Sequence, residues 1–439
     1  MSLSPLWAFG VHAIVLAQAT ATPASPAGVM TLAEAERFAL EQQPQALVAR
    51  AATNVAEAQA DQARAPLLPQ VTGTASYTRR TANAAPGAVV GLPASSQGWS
   101  LSNSFDVWNF GLGATQLIYD FGQTIQRYRS AASAALATSI AERTTRIQIL
   151  YTVRRAYFNA LGMKELVDVA RETLDDQKRH LTQVAGFVQV GTQPAIALAQ
   201  QQASLANAQV QLITAQNNYE TAKAQLNQAA GIAGETDYDV ADQESLPIDD
   251  EDTQLDALVA KAIAGRPEIA ALVKQREAQA QTLGSAKGSY GPTLSASAGA
   301  TEQGTALDAL VPNWNAGVLL SWPLFQGGLT KAQVRQAEAG IQSIDAQRSL
   351  EELQVRLDVG TARLAVKAAK ATISAAQDAV TSAREQLRLA EQRFATGVGN
   401  IIELTDAQVA YTSAAAQAVA ARYGLASARA QLLAALGRT

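Results

Sequence analysis

Residues 359–394 read VGTARLAVKAAKATISAAQDAVTSAREQLRLAEQRF, and within them Val359, Val366, Ile373, Val380, Leu387 and Phe394 fall at every seventh position. Ala362, Ala369, Ala376, Ala383 and Ala390 keep the same step three residues later. A large apolar residue at one core position and Ala at the other is a heptad pattern, which predicts a long coiled-coil helix with its partner unusually close. The large series also runs earlier, as Val153, Ala160, Val167, Leu174, Leu181 and Val188. Returning helices carry sevens of their own: Leu198, Leu205, Leu212, Tyr219 and Leu226, then Leu404, Tyr411, Ala418, Leu425 and Leu432.

Those two sets are copies. Every position from Trp108 to Gly231 can be set against the residue 206 further on without a gap. The match pairs Trp108-Asn109-Phe110-Gly111 with Trp314-Asn315-Ala316-Gly317, Gly122 with Gly328, and Gly191 with Gly397. Upstream the offset is 223: Leu32, Pro44 and Pro69 match Leu255, Pro267 and Pro292. A period above 200 residues is too long for a solenoid unit and means one structural module written twice.

Each copy opens with two short helices, near 31–43 and 45–65, then near 254–265 and 267–288. Pro44 and Pro267 start the second helix of each pair, where a missing N–H costs nothing. After Pro69 and Pro292 the period falls to two. Val71, Ala75 and Tyr77 alternate with Thr and Ser, as do Leu294, Ala296 and Ala298, which predicts strands. Loops near 79–98 and 301–312 and return strands near 99–119 and 313–325 give one hairpin per copy. The outgoing helix, about 123–190, would be roughly 100 Å long at 1.5 Å per residue. Its hairpin reverses near Gly191, and the second near Gly397.

Tyr77, Trp99, Trp108, Tyr119, Trp314, Trp322 and Phe325 all fall in the strand regions. Aromatics of this kind favour a membrane–water boundary. They also suit strands in general, and both readings stand. Four strands cannot close a barrel, and lipid does not tolerate open edges. If these strands enter a membrane, several chains must pool them.

Ala-, Gln- and Glu-rich tracts with 5% aromatics suit slender helices rather than a globular core. A net charge of −4 gives no basic footprint for nucleic acid. Without Cys, neither a disulfide, a thiolate metal site nor a lipidated cysteine is expected. Residues 1–21 combine an apolar run with A-x-A sites and read as a signal peptide. The acid-rich stretch 231–252 lacks the Gly of a calcium loop and reads as a solvated linker. His180 reads as a surface residue, and no catalytic arrangement or cofactor site is evident.

The duplicated module resembles the TolC family of outer-membrane efflux ducts. The marks are the two short-helix openings and the strands closed by Tyr119-Asp120-Phe121-Gly122 and by Pro323-Leu324-Phe325-Gln326-Gly327-Gly328. The tips around Gly191-Thr192-Gln193-Pro194 and Gly397-Val398-Gly399-Asn400 complete them. The resemblance implies a mainly α chain with a small β part, as a homotrimer. Its 12-stranded outer-membrane barrel, four strands per chain, would continue into a long periplasmic α-helical barrel. The boundaries expected are repeats at 22–230 and 253–439 about an equatorial linker at 231–252.

The resemblance also implies partners: a periplasmic adaptor (membrane fusion protein), an inner-membrane pump of RND, ABC or MFS type, and outer-membrane lipid. Adaptor docking would fall on Gly191, Thr192, Gly397, Val398 and Gly399, although the two tip glycines also serve simply to reverse the chain. Glu403 and Asp406 match two acids that form carboxylate rings at the periplasmic aperture. In the first copy Ala197 and Gln200 stand in their places. The competing reading makes them helix-start acids favoured by the macrodipole. From another class, a periplasmic coiled-coil spacer or adaptor without a barrel remains as the alternative.

Overall fold

The computed structural model describes residues 28–81, 104–243 and 247–438. The expected signal peptide and Trp99 lie outside them. In chain order come β1 (Gly28–Met30), α1 (Leu32–Gln42), α2 (Pro44–Arg64), β2 (Gln70–Thr81), β3 (Ser104–Tyr119), α3 (Gln123–Gln189) and α4 (Ala195–Ala230). Then follow β4 (Tyr238–Val240), α5 (Leu255–Gly265), α6 (Pro267–Gly288), β5 (Thr293–Gly304), β6 (Val311–Ser321), α7 (Leu329–Ala395) and α8 (Ile401–Ala435). The fold is mainly α with a small β part, and the series from short helix pair to long helical hairpin occurs twice. Strand pairing outlasts the apolar alternation, so β5 and β6 are joined only by 305–310. The chain divides into two compact units, one of residues up to 43 with 156–244, the other of 44–155 with 245–439.

In the first unit a capping box starts α1: Thr31 Oγ1 accepts from Glu34 N, and the Glu34 carboxylate accepts from Thr31 N. Gln43, just before Pro44, then closes the end of α4, its Nε2 donating to Gln228 O and Ala229 O at 3.1 Å each. The backbones meet here because Gly231 (φ 73°) has no side chain; a Cβ on it would stand 2.8 Å from Gln43 Cα. The second unit repeats this lock in different chemistry. Arg266 precedes Pro267, donates to Ala435 O at 2.9 Å, and faces Gly437 (φ 71°). A cation at the negative end of α8 is favoured, and Arg266 further pairs with Asp358 at 2.9 Å. Its core is Leu258, Val259, Ala262 and Ile269 packed on Val355, Val359, Ala362, Val366 and Leu432.

The sheet of the second unit runs β2-β3-β5-β6, antiparallel throughout, with an irregularity between Leu117 and Tyr119. Helices continue it strand for strand. Thr53 of α2 bonds Glu142 of α3 at 2.9 Å. Ser130 of α3 meets Thr282 of α6 at 2.9 Å, and Arg276 of α6 pairs with Asp345 of α7 at 2.7 Å. The lateral order α2, α3, α6, α7 is therefore that of the strands they join. At the junction Phe121 takes a left-handed φ of 55° and Gly122 one of 81°; Gly327 (59°) and Gly328 (86°) repeat the turn in the second copy. Asp120 Oδ2 caps α3 by accepting from Thr124 N at 2.7 Å.

Three expectations are corrected. The heptad series holds through Leu174, but Leu181 and Val188 are half-buried while Gln177, His180 and Val184 are buried. The contact line of α3 thus steps off the seven-residue series after Leu174, whereas α7 keeps its series to a wholly buried Phe394. His180 is on the new line, and is buried rather than at the surface.

Third, the acidic stretch is not a solvated linker throughout: Glu235, Asp237, Asp242 and Asp249 are exposed, but others are held. In the first unit β4 pairs in parallel with β1, and Asp239 takes Lys164 at 2.6 Å and a hydrogen bond from Tyr219. Burial pushes that carboxyl up, and these partners outweigh it, leaving it below the usual range. In the second unit Asp250 pairs with Lys261 and Arg438 at 2.7 and 2.8 Å. The Glu251 side chain is 3% exposed, between Arg429 at 2.5 Å and Lys370 at 2.7 Å. Asp239, Asp250 and Glu251 are clasps, legible only once the cations opposite them are placed.

Candidate functional site

Both helical hairpins reverse by the same construction. At the first tip Gly191 N donates to Val188 O at 3.1 Å and Thr192 N to Phe187 O at 2.9 Å. At the second, Gly397 N donates to Phe394 O at 3.1 Å and Val398 N to Arg393 O at 3.0 Å. This is a Schellman ending, which places a left-handed residue after the helix; Gly191 has φ 77° and Gly397 φ 79°. Chain reversal alone therefore explains these two glycines. Gly399 is required for another reason, since a Cβ on it would stand 2.9 Å from Phe394 N. Phe394 itself is wholly buried behind the turn.

Large aliphatics stand exposed at both tips among polar neighbours such as Thr192, Thr396 and Asn400. Val190 and Ile196 are exposed at the first, Val398 and Ile402 at the second. Sequence reasoning named Val398 and missed the other three. Their signal was available: large aliphatics flanking a turn, off the heptad line.

Glu403 and Asp406 both project from the first two turns of α8, but their settings differ. Asn400 caps the helix, its Oδ1 accepting from Glu403 N at 2.8 Å. The Glu403 carboxylate lies 3.1 Å from Arg393 Nε, so it is a helix-start acid held by a cation across the turn. Asp406 is exposed. Arg393 was not foreseen; Phe187 holds its place in the first copy.

Strand register sorts the sheet into two faces. One carries Val71, Ala75 and Tyr77; Trp108, Phe110, Leu112 and Ala114; Leu294, Ala296, Ala298 and Ala300; and Trp314, Ala316, Val318 and Leu320, with Gln116, Glu302 and the Arg79–Asp106 pair as its polar members. The other carries chiefly Thr72, Thr74, Ser76, Asn109, Gly111, Gly113, Thr115, Ser295, Ser297, Gly299, Thr301, Asn313, Asn315 and Gly317. Tyr77 and Trp108 stack with centroids 4.7 Å apart on the apolar face, and Tyr77 Oη donates to Asp106 at 2.9 Å. Trp314, on that face, is 83% exposed. At the helix end of the sheet lie Tyr119, beside Phe121 at 5.0 Å, and Trp322, whose Nε1 donates to Tyr290 O. Phe325, 90% exposed, follows. No helix among the described residues is long and apolar enough to cross a membrane, nor do they hold a cluster of three metal-ligating side chains.

Among the described residues the sheet is largely apolar on one face and polar on the other, and its outer strands β2 and β6 are each paired on one side only. The profile of the outer membrane efflux protein family matches residues 37–232 and again 258–438, and the chain belongs to that family. It is 28% identical over 307 residues to the fusaric acid resistance protein FusA of Burkholderia cepacia, covering 68% of this chain and 56% of that protein. Among solved structures, the CmeC outer membrane channel of Campylobacter jejuni aligns with TM-score 0.77 at 20% identity, over 92% of this chain and 85% of that one. The outer membrane protein VceC of Vibrio cholerae aligns with TM-score 0.76 at 21% identity, over 93% and 96%. These structural likenesses are of fold.

Proposed function

We propose that the chain is one subunit of an outer-membrane exit duct that passively conducts substrates delivered by an inner-membrane pump through a periplasmic adaptor. The observation that carries this reading is the two-faced sheet with open edges. Strands of 12 residues span about 40 Å, or about 28 Å when tilted by 45°, close to the hydrocarbon thickness of a bilayer. The apolar face then meets lipid, and the Ser, Thr, Asn and Gly face lines water. Because β2 and β6 run in opposite directions, β6 of one copy can pair antiparallel with β2 of the next and remove the edges that lipid forbids. Resemblance to the family sets the number of copies at three, giving 12 strands.

Tyr77, Trp108, Tyr119, Trp314, Trp322 and Phe325 serve as interfacial aromatics in this reading. The tips, with Gly191, Thr192, Gly397, Val398 and Gly399, meet the adaptor. Three copies would bring Glu403 and Asp406 together at the periplasmic aperture, where a ring of carboxylates attracts cations. Arg393 offsets the Glu403 charge, so Asp406 carries most of the effect.

Extraction tests the barrel: the protein should stay with the membrane until detergent is added. Release by buffer alone would favour the coiled-coil spacer. In single-channel recordings Asp406→Ala should relieve block by multivalent cations more than Glu403→Ala does; equal block in wild type and both variants would remove the aperture assignment. Gly397→Trp should abolish adaptor crosslinking at the tip while trimers persist.

A further inference from the structure

We propose that α7 of one copy packs against α2 of the next in the register that α3 and α6 show within the chain, with Lys331 and Arg335 meeting Asp61 and Glu57 across the seam. The proposal rests on the ring closure of the outer-membrane reading and adds to it a helical interface whose partner is a second copy.

The chain supplies its own template. The 206-residue offset carries α3 onto α7, and the 223-residue offset carries α6 back onto α2. The contact of α3 with α6 therefore has its counterpart between α7 and α2, the two outer helices of the layer, which can meet only between copies. Ser130 touches Thr282 at 2.9 Å, and Gln126 lies over Gly284, where a Cβ would stand 3.2 Å from the Gln126 Cδ. Their counterparts are Gln336 with Gln59 and Ala332 with Asp61. The strands agree. The same offsets turn the pairs Ala114–Ala298 and Leu112–Ala300 into Leu320–Ala75 and Val318–Tyr77, apolar on apolar. A slip of one residue would set each against the polar face.

Helix faces agree as well. Buried Thr53 and Ala60 mark the side of α2 turned to α3, and buried Thr330 and Ala337 the side of α7 turned to α6. At about 100° per residue, the opposite sides carry Leu47, Ala51 and Ala58 on α2 and Ala332, Ala339, Ala346 and Leu350 on α7, all exposed. In the template register Ala58 falls between Ala332 and Ala339, Ala51 between Ala339 and Ala346, and Leu47 between Ala346 and Leu350. The alanines interleave and let the backbones come close, while Leu47 and Leu350, 53% and 68% exposed in the single chain, cover each other.

Charge follows the same register. Glu57 and Asp61 lie one turn apart on α2, and Lys331 and Arg335 one turn apart on α7 at the same levels. The two helices run oppositely from the sheet, so both pairs stand on the same surface of the layer. All four are exposed and have no ion pair among the described residues. Arg64 comes level with Lys331, and Glu338 with Glu57, but Arg64 has Asp61 one turn before it and Glu338 has Arg335, so each like pair shares an opposite charge. Arg50 comes level with Asp345, which already holds Arg276 at 2.7 Å.

The chain has no Cys, so introduced cysteines report alone. Q59C/Q336C places a pair at the counterparts of Thr282 and Ser130. Oxidised in isolated membranes, it should give covalent dimers and trimers on nonreducing gels. Q59C/S343C, displaced by about 10 Å along the helix, should give about tenfold less. A ladder absent from the first pair, or as strong from the second, overturns the register. E57K/D61K should lower the temperature at which trimers fall to monomers in mild detergent, and adding K331E/R335E should restore it. No loss, or no recovery, overturns the ion pairs. Failure of the duct itself is read separately, as release of the protein without detergent; retention in the membrane without crosslinks refutes the seam alone.

Discussion

Glu251→Gln keeps the shape of the side chain and removes its charge from a site that holds two cations. In the wild type its carboxylate accepts from Arg429 at 2.5 Å, Lys370 at 2.7 Å and Ile248 N at 2.9 Å. Hydrogen bonds to a charged group contribute about 1.5–3 kcal/mol each. Lys370 is exposed enough to turn to water and to Asp252, at 3.2 Å, so its share is small. The Arg429 bond dominates, and about 2 kcal/mol is expected, or about 30-fold in a local opening equilibrium. Hydrogen exchange reads this directly: Glu251 N and Thr253 N bond Ile248 O and Asp250 O at 3.1 Å each and should exchange about 30-fold faster in the variant. Burial pushes the Glu251 carboxyl up, but Lys370 and Arg429 outweigh it and hold the group below its usual 4.5. Its stabilising contribution is therefore complete above about pH 4.5 and is lost as pH falls through the lower folded value. Protection should be flat from pH 8 to about 5 and then fall, with that fall diminished in Glu251→Gln. Unchanged exchange in the variant would refute the clasp.

Gly231→Ala and Gly437→Ala should both destabilise, by more than about 1 kcal/mol, because each needs a left-handed backbone packed against another segment of the same chain. Gly231→Ala should lower the thermal midpoint more, its Cβ falling 2.8 Å from backbone atoms of Gln43 where that of Gly437 would fall 3.1 Å from Arg266. Gly291→Ala would set a Cβ 2.3 Å from Phe121 Cγ and should impair assembly; Phe121→Gly should rescue it, since Gly327 already makes the same turn in the second copy. A double mutant no better than the single would show that the ring contact is not the cause.

The two copies differ where charge is concerned. Gln43 closes the first module with a neutral amide and Arg266 the second with a cation tied to Asp358. The tip of the second carries Arg393 and Glu403 where the first has Phe187 and Ala197. Backbone construction is shared, as the two Schellman endings and the paired left-handed turns at 121–122 and 327–328 demonstrate.

Periodicity is a local property, and it determined much here by itself. Steps of seven and of two, broken by Pro44, Pro267, Pro69 and Pro292, mark long helices and hairpins, because each side chain's direction follows from its place in the repeat. The 206-residue offset likewise makes the module double without any coordinates. Only tertiary structure decided the partners of charged and buried groups. Nothing near Glu251 in sequence announces Arg429, 178 positions away, and nothing near Glu403 distinguishes a free acid from one held by Arg393. His180 moved from surface to core for a related reason: which face of a long helix is buried depends on where its neighbours lie, and α3 and α7, alike in their seven-step, differ in where that step stays buried.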